Sequence, residues 1–428
     1  MTSIIVGLIL LMVLAYLGWS IIWIAPLVAG LVALMSGLDL LPAYTETYMT
    51  GFVDFAKEWF PVFLFGAIFG KLMEDVGAAQ SVAYKITNII GKDRAILGVL
   101  IAAAVLTYGG VSLFVVVFAI YPLAIAMFRE ADITRKLLPP TFVLGAFTFT
   151  MTAIPGTPQI QNLIPIDYFK TSPTAAPIIG IVGGLIMAAG GYFYLRWRQK
   201  QFTSKGDTFT EPKGGNDVKE IKESELPNFY LSFLPLVIVV VTLNVFKWNI
   251  LTALLVGILS ILLINFKHYK KFIPAVNGGA KGSVMAVINT SAAVGFGAVV
   301  TAAPGFKTLT KLILGIKGNP VISEAIAVQT LAAITGSASG GMGIALEALG
   351  DKYYELSQTS GISAEAFHRI ASISSGASIL PHNGALLTLF AVTGLTHKDS
   401  YLDVAVVGLL IPTIAEIVSI ILANMGIY

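Results

Sequence analysis

Apolar runs long enough to cross a lipid bilayer recur along almost the whole chain. A hydrocarbon layer of about 30 Å needs about 20 predominantly apolar residues in a helix. Backbone groups inside lipid need internal partners, and the runs lack the strict alternation of barrel strands, so we predict helices. The candidate membrane segments are residues 4–18, 21–41, 60–74, 95–128, 137–155, 175–196, 229–246, 250–266, 284–303, 321–346, 369–394 and 402–426.

Composition agrees with this interpretation. Hydrophobic residues make up 56% of the chain and charged residues 12%, whereas an ordinary soluble domain has about 25% charged residues. We therefore predict an all-α polytopic membrane protein with about 10–14 membrane segments. The first apolar run follows Met1-Thr2-Ser3 without a basic region, and we predict a retained span rather than a signal peptide.

Several other classes of protein are disfavoured. The formal net charge is +3, and no block of Lys and Arg with interleaved aromatic residues indicates nucleic-acid binding. Cysteine is absent from the sequence, which excludes disulfides and thiolate metal sites. Walker and His-Glu-x-x-His motifs are also absent. We predict no enzyme activity, no cofactor and no resident metal.

One long polar stretch, from Arg196 to Pro227, divides the apolar runs and has the composition of a flexible linker. The predicted division is a first membrane repeat at 1–196, a linker at 197–226 and a second membrane repeat at 227–428. Lys and Arg concentrate in the linker and at 267–271, so the positive-inside rule places both in the cytoplasm.

Counted from that linker, the two halves begin on opposite faces of the membrane, as an inverted duplication requires. Similar residues recur in the two halves at a nearly constant interval, and their collinearity carries the argument because each identity is weak alone. The matched positions are Trp19 and Trp248, Gly66 and Gly295, residues 108–112 and 335–339, and residues 152–156 and 378–382.

Four polar clusters rich in Gly, Pro, Ser and Thr interrupt the apolar runs, two in each half. In chain order, the first to fourth clusters are residues 107–112, 152–159, 335–341 and 374–384. Transporters built from inverted repeats break helices near mid-membrane, so that half-helix N-termini face an anionic substrate. The alternative is close helix packing through small residues, but the clusters are more polar than packing requires. The predicted substrate-binding residues are Tyr108, Gly109, Gly110, Ser112, Thr152, Pro155, Gly156, Thr157, Gln159, Thr335, Gly336, Ser337, Ser339, Ser378, His382 and Asn383.

Two titratable residues inside apolar runs are candidates for carrying a coupling proton. His382 lies in the fourth cluster, where an imidazole could bind a carboxylate or a proton, or simply a broken helix end. Glu416 lies in the last apolar run, where an ionisable residue is costly, unless water reaches it at the membrane end. His368, beside Arg369, is expected at the membrane interface.

With these residues in view, the chain resembles the gluconate permease (GntP-type) family of the ion transporter superfamily over nearly its full length. The resemblance rests on residues 65–80, on the Pro155 to Pro158 element, on Ser374 to Gly384, and on Glu416 in the last helix. It implies a proton-coupled symporter of hydroxylated carboxylates in the inner (plasma) membrane, with inverted repeats, re-entrant helical hairpins and an elevator-like movement. It also implies a homodimer.

One departure from the family pattern bears on the substrate. Gluconate-type permeases resemble Leu-Pro-Pro-His-Pro-Gly-Pro where this chain reads Thr152-Ala-Ile-Pro-Gly-Thr-Pro158 and lacks the histidine. A polyhydroxylated sugar acid needs many hydrogen-bonding partners, so this less polar cluster favours a shorter monocarboxylate of the 3-hydroxybutyrate or lactate kind over gluconate.

The predicted function is therefore import of a small hydroxy-monocarboxylate by proton symport with alternating access. Na⁺ coupling is the rival within transport, with hydroxyls and backbone carbonyls as ligands. A passive anion channel and a membrane-embedded enzyme are the alternatives from other classes.

Overall fold

A computed structural model gives the architecture, and every secondary-structure element that it describes is helical. The predicted all-α fold class is confirmed. The described residues are 2–17, 19–111, 113–212, 223–306, 308, 319–381 and 383–428.

The first half begins with two apolar helices and ends with a long one. Its main helices are α1 (Thr2–Tyr16), α2 (Ile21–Met35), α3 (Met49–Asp75), α4 (Ala78–Ile90), α5 (Ala95–Tyr108), α6 (Leu113–Glu130), α7 (Leu138–Phe142), α8 (Phe149–Thr152), α9 (Ile160–Phe169) and α10 (Pro177–Ser204). A π-helical turn, Val143–Phe147, joins α7 to α8.

The second half also begins with two apolar helices and a long one. Its main helices are α11 (Phe229–Asn244), α12 (Ile250–Ile264), α13 (Phe272–Ala302), α14 (Pro320–Thr335), α15 (Ala338–Thr359), α16 (Ala364–Gly376), α17 (Gly384–Thr393), α18 (His397–Ala405) and α19 (Ile411–Asn424). Another π-helical turn, Val406–Leu410, joins α18 to α19.

Interrupted helices recur at matching places in the two halves. The predicted break at Gly109-Gly110 separates α5 from α6, and α6 then continues without interruption to Glu130. A break at Gly336-Ser337 separates α14 from α15 in the second half. A longer non-helical segment lies between α8 and α9, and its counterpart lies between α16 and α17. The shared order agrees with a duplication, while the inverted orientation stays a prediction.

The two halves interlock. Helix α3 of the first half packs along α13 of the second, α2 also packs against α13, and α1 packs against α14. A Cβ placed on Gly279 of α13 would lie 2.6 Å from the Cα of Ile68 in α3. Small residues permit such backbone approach between helices in lipid. The division into 1–196, 197–226 and 227–428 stays a prediction, and the packing shows that the halves are not separate bodies.

Three described helices are long and apolar enough to cross a membrane by length and composition. These are Pro177–Ser204, Phe266–Ala302 and His397–Asn424. Shorter apolar helices accompany them, namely Thr2–Leu11, Ile21–Met35, Ala95–Tyr108, Phe229–Asn244, Ile250–Ile264 and Pro320–Ala333. Large apolar side chains such as Leu185 and Leu263 point outward, with 63% and 75% of their surface exposed. Lipid would cover this surface.

The beginning of the predicted linker is ordered and docked. Helix α10 continues beyond Arg196 to Ser204, and the following segment folds onto the charged loop after α6. Arg129 makes two 2.8 Å hydrogen bonds with the Glu211 carboxylate, and Asp207 accepts hydrogen bonds from Thr134 and Lys136 at 3.0 and 2.5 Å. The Arg129 guanidinium holds the pKa of Glu211 below its ordinary value, so this pair persists to lower pH than free carboxylates would allow.

The glycine at the α3–α13 crossing allows a stability test. We expect Gly279→Ala to lower the melting temperature in detergent, because the added methyl group meets the backbone of α3 and overpacking costs about 1–3 kcal/mol. Gly282→Ala, on the same helix with open space around its Cβ, should melt at or slightly above the wild-type temperature. Equal melting of the two variants would contradict the close approach.

Candidate functional site

The first break lies between α5 and α6. It is bridged by the Gln159 side chain, which belongs to the second break, between α8 and α9. Gly110 has φ +95°, a conformation that glycine adopts without strain. At the break the Val111 carbonyl accepts from the Gln159 amide at 3.2 Å. The Thr107 carbonyl accepts from the same amide at 2.7 Å and also from the Gly110 N–H at 3.1 Å. The Tyr108 hydroxyl donates to the Pro155 carbonyl at 3.0 Å. These bonds hold the first two predicted clusters together. Ser112 lies outside the described residues.

The second break, between α8 and α9, is held by side chains of α9 and α11. Pro155 and Pro158 cannot donate backbone hydrogen bonds, so the helix must stop here. The Gly156 carbonyl accepts from Asn244 of α11 at 2.9 Å. The Thr157 carbonyl accepts from Asn162 of α9 at 2.9 Å.

The second break also contacts the second half of the chain. The Thr152 carbonyl accepts from the Ser372 hydroxyl of α16 at 2.7 Å. A Cβ on Gly376, at the end of α16, would lie 2.7 Å from the Thr152 side chain at the end of α8. The second and fourth breaks therefore lie against each other.

The fourth cluster forms the break between α16 and α17. The Ala377 carbonyl accepts from Gln329 of α14 at 2.9 Å, and the Ile379 carbonyl accepts from the Tyr401 hydroxyl at 3.2 Å. Asn383 caps α17 by accepting from two backbone N–H groups. Ser378 donates to the Ser375 carbonyl at 2.6 Å. His382 lies outside the described residues, so its predicted roles stay predictions.

The third cluster behaves differently. Thr335 and Ser337 make their hydrogen bonds within the break between α14 and α15, and Ser337 caps α15 by accepting from the Gly340 N–H at 3.1 Å. Gly336 has φ +64° there, and Ser339 is buried. The cluster is linked to the others through α14, whose Gln329 reaches the fourth break. The second cluster therefore contacts both the first and the fourth, and the third is joined to the fourth through α14.

A buried basic pair that sequence reasoning missed lies beside these breaks. Arg369 of α16 is 0% exposed. Its guanidinium donates to the Asn162 amide oxygen at 2.6 Å, to the Ala175 carbonyl at 3.0 and 2.8 Å, and to the Pro173 carbonyl at 3.1 Å. Within the described part of the chain its partners are neutral oxygens and include no carboxylate. The guanidinium therefore has no carboxylate in hydrogen-bonding contact, and Glu365 of the same helix interacts with it only electrostatically.

The expectation for His368 was wrong. It was assigned to the membrane interface, but the structure buries it completely. Its ring nitrogens lie 2.6 Å from the Thr171 hydroxyl and 3.3 Å from the Asn162 amide oxygen. The physical reason is that the face of α16 that carries His368 packs against α9 and the loop that follows α9. An arginine at the start of an apolar run was the available signal, but its partners lie about 200 residues away in sequence.

Polar atoms without partners gather at the first two breaks. Thr107 and Thr157 have buried hydroxyls, and Gln161 and Asn244 have buried amide oxygens, that hydrogen-bond to nothing among the described residues. The Gln159 side chain is committed to the first break and does not cap α9. Buried polar groups in an apolar setting are costly unless paired. Water or a ligand would be their natural partner.

Glu416 lies deep in the last helix. It is 3% exposed, and one carboxylate oxygen lies 2.6 Å from the Ser374 hydroxyl of α16. The Ser374 oxygen also lies 2.7 Å from the Ile370 carbonyl. Serine has one proton for these two acceptors. A proton on Glu416 would allow both contacts to be hydrogen bonds, with Glu416 donating to Ser374 and Ser374 to Ile370.

Comparison with known proteins gives the family. A family model for GntP family permeases matches residues 1–250. The chain is 40% identical over 444 residues to the uncharacterized transporter YxjC of Bacillus subtilis (strain 168), covering 94% of each protein. The chain belongs to the GntP permease family. The predicted resemblance is confirmed, and the chain is a membrane transporter of this family.

Two further similarities accompany this assignment. An uncharacterized transporter of Haemophilus influenzae is 24% identical to this permease over 72% of the chain and 71% of its own length. The crystal structure of the Alcanivorax borkumensis YdaH transporter, which has an unusual topology, matches with a TM-score of 0.59 and 14% identity over 91% and 90% of the two chains. At this identity the match supports the fold alone.

Variants of Gln159 and Gln161 distinguish two roles, because Gln159 bridges the first break and Gln161 is a candidate for substrate binding. We expect Gln159→Leu to lower the melting temperature of this permease, because the Val111 carbonyl loses its side-chain donor and the Thr107 carbonyl loses one of its two donors. An unsatisfied buried group costs about 1–3 kcal/mol. Gln161→Leu should melt near the wild-type temperature because its amide oxygen has no partner to lose. A Gln159→Leu protein as stable as the Gln161→Leu protein would contradict this assignment.

Proposed function

We propose that this permease imports a small hydroxy-monocarboxylate, such as 3-hydroxybutyrate, lactate or gluconate, by proton symport. The observation that carries the proposal is the set of unpartnered polar atoms where the first two breaks meet. The Arg369 charge beside these breaks supports an anionic substrate, since its contacts are neutral oxygens.

The chemistry of the unpartnered atoms fits a hydroxy acid. The Thr107 and Thr157 hydroxyls and the uncapped N-terminus of α9 can donate to a carboxylate. The Gln161 and Asn244 amide oxygens can accept from a substrate hydroxyl. The small number of such acceptors favours one hydroxyl over the several of a sugar acid.

Proton coupling at Glu416 is supported by the two contacts of Ser374. A neutral Glu416 lets both contacts be hydrogen bonds, whereas an ionised carboxylate would compete with the Ile370 carbonyl for the one Ser374 proton and would bury its charge. The contact joins α19 to α16, so movement of the fourth break would change the surroundings of Glu416. His382 remains the second proposed proton carrier.

Sodium coupling is the rival. A sodium site at the breaks would use backbone carbonyls, but those of Thr107, Val111, Gly156 and Ala377 already accept side-chain hydrogen bonds. A sodium site there would instead have to use side-chain oxygens, such as the unpartnered ones of Thr107, Thr157, Gln161 and Asn244. The preference for the proton over Na⁺ therefore rests on the buried Glu416 carboxyl group and its contact with Ser374.

The transport cycle follows from the predicted topology. We propose that the halves are inverted repeats with re-entrant hairpins, that they alternate access by an elevator-like movement, and that two copies form a homodimer in the inner (plasma) membrane. The linker at 197–226 is proposed to lie in the cytoplasm, where its basic residues satisfy the positive-inside rule.

Uptake into proteoliposomes tests this function. We expect a pH gradient, acidic outside, to drive accumulation of 3-hydroxybutyrate, because each substrate crosses together with a proton that moves down its gradient. Glu416→Gln should lose gradient-driven accumulation, since the amide cannot release a proton. Glu130→Gln, at an exposed end of α6, is the matched control and should accumulate substrate like the wild type.

The same assay separates the alternatives. Accumulation that follows a Na⁺ gradient at constant pH would replace proton coupling with sodium coupling. Equilibration without accumulation under either gradient would indicate a passive channel. Equal uptake of butyrate and 3-hydroxybutyrate would refute the proposed recognition of the hydroxyl group.

A further inference from the structure

A second carboxyl group is buried in the second half, and the function above does not use it. Glu324 lies in the first turns of α14, and its side chain is 0% exposed. Neither of its carboxylate oxygens has a hydrogen-bond partner among the described residues. No other carboxyl group in the described part of the chain has both oxygens buried and unpartnered.

The surroundings of Glu324 favour the neutral acid. Burying an ionised carboxylate without a partner is among the most costly arrangements in a protein, and the group takes up a proton instead. A neutral acid lowers that cost because only a weakly polar group is then desolvated. In the described state the geometry therefore requires a proton on Glu324.

No titratable group on the helices packed against α14 is paired with Glu324 among the described residues, so none of them would stabilise its ionised form. Tyr353 of α15 interacts electrostatically with Glu324. Its hydroxyl, however, hydrogen-bonds with the Ser323 hydroxyl at 3.0 Å and not with Glu324. Helix α1 carries no charged residue. On the rest of α15, Glu347, Asp351, Lys352 and Glu355 are exposed. The groups on α16 and α19 have partners of their own, namely Glu365, His368, Arg369 and Glu416.

The same helix is joined to the parts proposed to move. Gln329, further along α14, donates to the Ala377 carbonyl of the fourth break and to the Thr413 hydroxyl of α19, both at 2.9 Å. Thr413 lies one turn before Glu416 in α19. A displacement of the fourth break or of α19 would therefore shift α14 and the environment of Glu324.

We propose that Glu324 is a second proton-carrying residue of this transporter. It holds a proton in the described state and releases it to water when the conformational change hydrates α14, then takes up another on return. Each cycle moves that proton as H⁺ between Glu324 and water, with no other bond made or broken. The inference rests on the proposed proton symport.

Glu324→Gln tests the proposal because glutamine preserves the shape and neutrality of the protonated acid but cannot release a proton. The expected result is loss of net uptake driven by a pH gradient, with exchange of labelled for unlabelled 3-hydroxybutyrate across the membrane retained. Glu355→Gln, on the exposed face of α15 where Glu355 pairs with Lys352 at 2.6 Å, is the matched control and should support both activities.

Infrared difference spectroscopy gives a readout that does not depend on transport. The wild-type spectrum minus the Glu324→Gln spectrum at neutral pH should contain the C=O stretch of a neutral carboxylic acid, and Glu416 cancels because both proteins contain it. A carboxylate band in its place would overturn the proposal.

The transport outcomes are also decisive. Net uptake by a folded Glu324→Gln protein equal to that of the wild type would overturn the proposal, and so would loss of exchange together with uptake, since a neutral residue should still allow the loaded carrier to move. Absence of proton-driven uptake in the wild type would instead refute the proposed function, while the infrared result would still report on the Glu324 proton.

Discussion

The architecture depends on finding partners for backbone carbonyls that broken helices release inside an apolar environment. Lipid offers no hydrogen bonds, so each interruption needs donors from elsewhere in the protein. Gln159 serves the first break, Asn244 and Ser372 serve the second, and Gln329 and Tyr401 serve the fourth. Because most of these donors come from another break or the other half, closing the breaks also brings them together.

Function follows from where this closure is incomplete. Backbone carbonyls at the breaks accept hydrogen bonds from side chains, but two threonine hydroxyls and two amide oxygens stay buried without partners among the described residues. Arg369 adds a positive charge held by neutral oxygens, and Glu416 and Glu324 add buried carboxyl groups that favour the protonated form. An anion, a substrate hydroxyl and a proton are the species that such a set of groups can accept.

Much of this arrangement could be predicted from local sequence. Gly110 permits a positive φ, Pro155 and Pro158 stop a helix, and Asn383 caps one, so three of the breaks stand where the Gly, Pro and Asn residues indicate. The pairing of His368 and Arg369 with Asn162 could not be predicted, because it joins helices about 200 residues apart in sequence. No pattern of nearby residues in the sequence indicates such a contact. Glu324 was also missed, since a single acidic residue near a helix start resembles an ordinary charged helix end.

The central claim is that the meeting point of the breaks opens to water and binds a carboxylate. The chain contains no cysteine, so a single Thr157→Cys substitution places one reactive thiol there. We expect a membrane-impermeant thiol reagent to modify it, and 3-hydroxybutyrate to slow the modification, while a cysteine at the tightly packed Ala103 position stays unmodified. A Thr157→Cys thiol that is unreactive, or whose modification no carboxylate slows, would contradict the account.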